Sequence, residues 1–164
     1  AEACTDQLGA PGPWLHRLPH FRMEATPASG DEVQAEFMVA RPDAVAALTA
    51  LRELGPDLNR AIWISEVRSM TGDDLWLSMA HGRDTIGIHF SFYSDPDAVA
   101  TMLPRVEAAL APFAPRPHWG KAFTLTAAEL EPRYERMDDF RALARRLDPR
   151  GAFRNDYLHR TVFG

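Results

Sequence analysis

Glu66 and Arg68 stand two positions apart in the largely apolar run AIWISEVRSM (61–70). In a strand, alternate side chains leave from the same face, so an acid and a base project together at one spot. A carboxylate accepts hydrogen bonds and a guanidinium fork donates them, so the pair offers both polar functions at one place. RDTIGIHFSFYS (83–94) repeats the spacing: Ile86, Ile88, Phe90 and Phe92 take one face, and Thr85, Gly87, His89 and Ser91 take the other. His89 adds an imidazole whose unperturbed pKa suits general-base work. A third string, RPHWGK (116–121), is stiffened by Pro115 and Pro117. It offers Trp119 as a flat apolar wall, Gly120 as a point of close backbone approach and Lys121 as a compact cation. Each feature alone is ordinary, because exposed Glu–Arg pairs contribute little and most lone histidines do no chemistry. His81, His118 and His159 do not fall with His89 at metal-ligand spacing, so no metal site is expected.

These residues need a scaffold. EVQAEFMVA (32–40) alternates, with Val33, Ala35, Phe37 and Val39 on one face and Glu32, Gln34, Glu36 and Met38 on the other. RPDAVAALTALRELG (41–55) reads as a helix with Pro42 near its start, Val45, Leu48, Leu51 and Leu54 as its apolar positions, and Gly55 as its stop. A strand over roughly 60–69 follows. Its Ile62 and Ile64 share the parity of Glu66 and Arg68, so Trp63 and Val67 are expected to face the core. LWLSMA suggests a short extra strand before the strand at 83–94. A second helix spans 95–113, capped by Asp95 with Pro96 at its first position, and Pro104 is expected to kink or split it. Residues 116–125 supply a fourth extended piece. A last helix is expected over 127–147, burying Leu130, Tyr134, Met137, Phe140, Leu143, Ala144 and Leu147. The order predicts an α+β fold: a ferredoxin-like, split βαβ antiparallel sheet with helices on one face plus an appended C-terminal helix. If strands 60–69 and 83–94 form a hairpin, Glu66, Arg68, His89 and Ser91 share the face opposite the helices.

The 164 residues allow a substantial core, and the net charge of −5 with no basic block argues against a nucleic-acid partner. A single cysteine, Cys4, rules out an internal disulfide framework and favours a reducing, cytoplasmic setting. No apolar stretch is long enough to span a membrane. Residues 1–30, broken by Gly9, Pro11, Gly12, Pro13 and Pro19 and lacking an initiator methionine, read as a connector from a preceding domain. Residues 31–164 then form the folded domain.

Taken in order, SEVRSM, DDLWLSMAHGRDTIGIHFSFY, LAPFAPRPHWGKAF and LDPRGAFRNDYL resemble the C-terminal half of flavin-linked alditol (xylitol, sorbitol) oxidases. These are relatives of the D-arabinono-1,4-lactone and other aldonolactone oxidases in the vanillyl-alcohol-oxidase superfamily. The connector CTDQLGAPGPWLHRLPHFRM is similar to the segment joining the two halves in that family. The resemblance implies a substrate-binding cap domain whose FAD is bound mainly by a missing N-terminal half, that half being its partner. It implies oxidation of a polyol's primary alcohol, with hydride passing to flavin N5 and dioxygen as the acceptor. It also implies Glu66, Arg68, His89, Ser91 and Lys121 as substrate-site residues, Ser91 replacing a usual threonine. Arg68 or Lys121 would lie against the flavin N1–C2 carbonyl edge. A sugar lactone is the alternative substrate. A free-standing ferredoxin-like module that binds a ligand or dimerises through its open face, or a purely structural domain, are the alternatives outside this class.

Overall fold

The computed structural model of the chain describes residues 4–6, 8–17, 19, 21–22, 24–25 and 31–164. It contains two compact units, Ala1–Glu32 and Val33–Gly164. The rest of the Pro/Gly-rich stretch read as a connector lies outside the described residues. Within the first unit the described backbone forms a 3₁₀ turn, Trp14–His16, and an isolated bridge between Cys4 and Phe21. The Arg17 guanidinium donates to the carbonyls of Ala10, Pro11 and His16, tying this segment together.

The second unit is α+β, as expected. Strands β1 (Glu32–Ala40), β2 (Ile62–Met70), β3 (Thr85–Tyr93) and β4 (Arg116–Pro117) form one sheet in the order β2-β3-β1-β4, with β2/β3 and β1/β4 antiparallel. Ala35, Phe37 and Val39 of β1 and Ile88, Phe90 and Phe92 of β3 form one core with the helices α1 (Ala44–Arg52), α2 (Gly55–Ala61) and α3 (Pro96–Leu110). Burying each large side chain is worth about 1.5–3 kcal/mol, so the alternation settles which face of β1 and β3 meets the helices. Asp95 caps α3, accepting from the amides of Asp97 and Ala98 at 3.1 Å.

Several expectations change. The first helix is two: α1 ends at Arg52, and Gly55, with Pro56 behind it, begins α2 rather than stopping α1. The buried positions of α1 are Ala47 and Leu51, while Val45 and Leu48 are exposed. Helix α3 runs unbroken through Pro104. LWLSMA is a turn, not a strand, in which the Asp73 carboxylate accepts from the Leu75 amide and the Ser78 hydroxyl. The expected helix 127–147 is interrupted at Pro132: α4 (Ala127–Leu130) passes through a 3₁₀ turn to α5 (Met137–Leu147). Leu147, at its end, is exposed. A short α6 (Asp156–Leu158) and a π-helical turn, His159–Phe163, follow.

β2 departs most from its expected parity. A bulge between Ile62 and Ile64 sets Ile62 opposite Phe92 on the core side and Ile64 opposite Ser91 on the other. Trp63 is the extra residue and is 57% exposed, so it does not face the core. Val67, opposite Ile88, lies on the helix side by register but is also largely exposed, because β2 is an edge strand.

Beyond β4, the core continues through Phe123, Leu125, Leu130, Tyr134, Met137 and Val162. Buried Arg116 anchors this region: it donates to the carbonyls of Arg133 (2.7 Å), His81 (2.7 Å) and Met79 (3.3 Å) and lies over the Tyr134 ring. The buried Glu107 carboxylate of α3 accepts from the Thr124 amide at 2.7 Å and from its hydroxyl.

Candidate functional site

The sheet face opposite α1–α3 is polar at its centre. Register sets Glu66 opposite His89 and Arg68 opposite Gly87, so the acid–base pair of β2 lies beside the polar positions of β3. The Arg68 Nη2 donates to Glu66 Oε2. Arg68 Nη1 reaches the other way, 3.1 Å from Glu36 Oε1 and 3.2 Å from Oε2. Glu36 is on β1, so this contact crosses the intervening strand β3. It crosses at Gly87, where a Cβ would lie 2.9 Å from Glu36 Oε1. A residue with a side chain there would meet the carboxylate, so the glycine's missing Cβ is what leaves room for the bridge.

Lys121 arrives at the same carboxylate, its Nζ 2.7 Å from Glu36 Oε2. The His-Trp-Gly-Lys turn is held on the β1 backbone: the His118 amide donates to the Glu36 carbonyl, and the Ala122 amide to the Gln34 carbonyl, both at 2.8 Å. Those two bonds fix where Lys121 starts. Gly120 is not the close approach expected of it, since a Cβ there would meet only His118 ring atoms at 3.4 Å and 3.6 Å. Trp119 is not a site wall either. Its indole donates to the Leu77 carbonyl at 2.9 Å and packs 5.0 Å from the Tyr134 ring, inside the C-terminal core.

His89 was expected to project outward, and it does leave the core side, but it is buried. It lies between Gln34 of β1, with Nε2 3.3 Å from Oε1, and Glu66 of β2, with Nδ1 3.3 Å from Oε2. The approach to Glu66 lacks hydrogen-bond geometry, leaving Nδ1 a buried nitrogen without such a partner among the described residues. Ser91 is also buried and faces the same side two residues further along β3, opposite Ile64.

The electrostatics follow from this packing. Burial works to raise the Glu36 pKa, but the Lys121 hydrogen bond and the charges of Lys121 and Arg68 prevail, and the carboxyl lies below its ordinary range. Burial, aided by the charge of Lys121, lowers the His89 pKa, and the same causes lower that of His118. At neutral pH the site therefore holds an ionised Glu36 and a neutral His89. The structure brings Glu66, Arg68, His89 and Lys121 into one connected group. Sequence reasoning missed the link, Glu36, along with Gln34 and Gly87, although Gln34 and Glu36 stand on the polar side of the alternation in β1.

Fold and side chains together define an α+β domain with one charge-balanced polar wall, able to donate to and accept from a neutral, hydrogen-bonding ligand. The profile of the D-arabinono-1,4-lactone oxidase family matches residues 31–161, and the chain belongs to that family. Over all 164 residues it is 49% identical to the alditol oxidase of Streptomyces sp. (strain IKD472 / FERM P-14339), of which the match spans 40%. It is 34% identical over 143 residues to the L-gulono-1,4-lactone dehydrogenase of Mycobacterium tuberculosis, covering 87% of this chain and 33% of that protein. It is 32% identical over 127 residues to the mouse L-gulonolactone oxidase, covering 74% of this chain and 28% of that protein. The chain thus spans two fifths or less of each of these relatives. No helix among the described residues is long and apolar enough to cross a membrane.

Proposed function

We propose that residues 31–164 are the substrate-binding cap domain, ferredoxin-like in build, of an FAD-dependent oxidase that oxidises the primary alcohol of a polyol. The reading further takes residues 1–30 as the connector to an FAD-binding half of the same polypeptide, and dioxygen as the electron acceptor. The observation that carries it is the convergence of Glu66, Arg68, His89 and Lys121 on one sheet face, joined through Glu36. The 49% identity to an alditol oxidase supports the polyol.

The donor set suits a flavin. Two cations held on one carboxylate would match the electron-rich N1–C2 carbonyl edge of the ring, and the contact of Glu66 with His89 would give a hydroxyl proton a place to go. Flavin, when bound, supplies the hydride acceptor. The chain's own residues do the rest. Glu66 accepts from substrate hydroxyls, while Arg68 and Lys121 donate to them, and one of these two cations would hold the flavin's carbonyl edge. Neutral His89, its Nδ1 buried 3.3 Å behind Glu66 Oε2, takes the hydroxyl proton by way of that carboxylate, which then stabilises the imidazolium that forms. Ser91 supplies a further hydroxyl contact.

In the whole protein, Glu66→Gln and Lys121→Ala are expected to slow anaerobic flavin reduction by xylitol about 10²-fold or more while barely moving the unfolding midpoint. Reduction at wild-type rates in both variants refutes the assignment. A second reading, a sugar lactone as substrate, is favoured by the family's name and by the gulonolactone relatives. Xylitol, sorbitol and gulonolactone compared under dioxygen separate the two.

A further inference from the structure

Two cations in a small site ordinarily attract carboxylates, and here that attraction is cancelled from within. Glu36 is only 4% exposed, and its two oxygens take Arg68 Nη1 and Lys121 Nζ. Glu66 takes the remaining fork nitrogen of Arg68. Two carboxylates therefore face two cations across a neutral His89. Stability does not demand this arrangement, because a buried ion pair roughly breaks even with apolar residues of the same volume. Met38, the next residue on that face of β1, is such an apolar residue and is 1% exposed. A buried acid at 36, with the Cβ position at 87 kept clear for it, points instead to the site.

We propose that Glu36 is the internal counter-ion of the site. It is a positioning residue that aims Arg68 and Lys121, and by cancelling their charge it sets specificity for neutral polyhydroxy substrates over carboxylate-bearing ones. This rests on the polyol-or-lactone reading above and deepens it. An aldonate carries nearly the same hydroxyl array as its alditol but ends in a carboxylate, so the two form a matched probe pair. A merely structural acid would, on removal, weaken both ligands together. A counter-ion, on removal, leaves one positive charge uncompensated and favours the anion.

The test is calorimetric titration of the full-length protein, its flavin reduced beforehand and dioxygen excluded, at neutral pH with xylitol and with xylonate, so that binding is read without turnover. Glu36→Gln, which keeps the shape and one acceptor oxygen, is expected to shift the xylonate-to-xylitol affinity ratio towards xylonate by about tenfold or more, as one unbalanced charge in a half-buried site should. Gly87→Ala displaces the carboxylate without removing its charge; it is expected to weaken xylitol while holding the ratio at the wild-type value. An unchanged ratio in Glu36→Gln overturns the proposal, and so does an equal shift in Gly87→Ala. If Glu36→Gln does not fold, the rebalanced double variant Glu36→Gln/Lys121→Gln takes its place. It is expected to keep the wild-type ratio, and a shift in either direction overturns the proposal. Should the ligand be a lactone, gulonolactone and gulonate form the same neutral and anionic pair. Wild-type protein that binds the neutral ligand without oxidising it refutes the oxidase reading and leaves the affinity ratio as a test of Glu36.

Discussion

Gly87→Ala isolates the step that builds the site, the passage of Glu36 over β3 to Arg68. An alanine Cβ would sit 2.9 Å from Glu36 Oε1 and 3.2 Å from Met70 Cε. The methionine tip can yield, being the end of a flexible chain. The carboxylate cannot yield freely, because Lys121 holds it at 2.7 Å from the other side. It must retreat by a few tenths of an ångström, and its contacts with Arg68, already 3.1 Å and 3.2 Å, lengthen beyond the charge-assisted range. Losing most of one hydrogen bond to a charged group costs about 1.5–3 kcal/mol. Alanine returns about 0.5–1 kcal/mol by restricting the unfolded chain. The net expectation is a loss of about 0.5–2.5 kcal/mol, read as a lower urea midpoint with an unchanged m-value. The released Arg68 should also lower kcat/KM for the alditol about tenfold, the equivalent of about 1.4 kcal/mol. A variant as stable and as active as the wild type refutes the reasoning, since it would mean that the bridge across the strand carries nothing.

Two further outcomes follow from the same structure. Arg116→Leu keeps an apolar stem but abandons the carbonyls of Met79, His81 and Arg133; at about 1–3 kcal/mol per buried unsatisfied group, urea unfolding should show a loss of about 3 kcal/mol or more, and a loss under 1 kcal/mol would refute the anchoring role. His89 and His118 have folded pKa values below the ordinary 6.5, so the unfolded chain binds more protons than the folded one in the window between. The stability they contribute is complete above pH 6.5 and is lost as pH falls through their folded values, by up to about 1.4 kcal/mol per pH unit for each. Glu36, also depressed, adds a loss that begins only below its ordinary 4.5. His89→Gln should flatten the upper part of that fall in urea titrations across pH, and an unchanged slope would refute the assignment.

Where one strand's own side chains decide its orientation, alternation was enough. β1 and β3 are covered by helices on one side, so Ala35, Phe37 and Val39, and Ile88, Phe90 and Phe92, leave little choice of face. β2 lies at an edge, where burial exerts less force on register, and its bulge reverses the parity of Ile62 relative to Ile64. The helix boundaries failed for a related reason: Gly55 and Pro104 have local preferences that point to breaks, but a glycine without a left-handed φ can open a helix, and a helix packed on a sheet can tolerate an internal proline.

Glu36 and Gly87 show why a site can be half visible in its residues. Each is unremarked in its own strand, one a polar member of an alternation and the other a small residue at a position facing away from the core. Their relation exists only once β1 and β3 are neighbours, and the clearance of 2.9 Å between the carboxylate and an imagined Cβ is what makes them a unit. Spacing within a strand finds pairs such as Glu66 and Arg68 because both members share one backbone. A group that must reach across a strand is selected together with the gap it crosses, so the sheet order has to be known before either residue acquires a reason. Glu66 and Arg68 are the more exposed members of this arrangement, and the acid that holds Arg68 and Lys121 in place is buried on the polar side of β1.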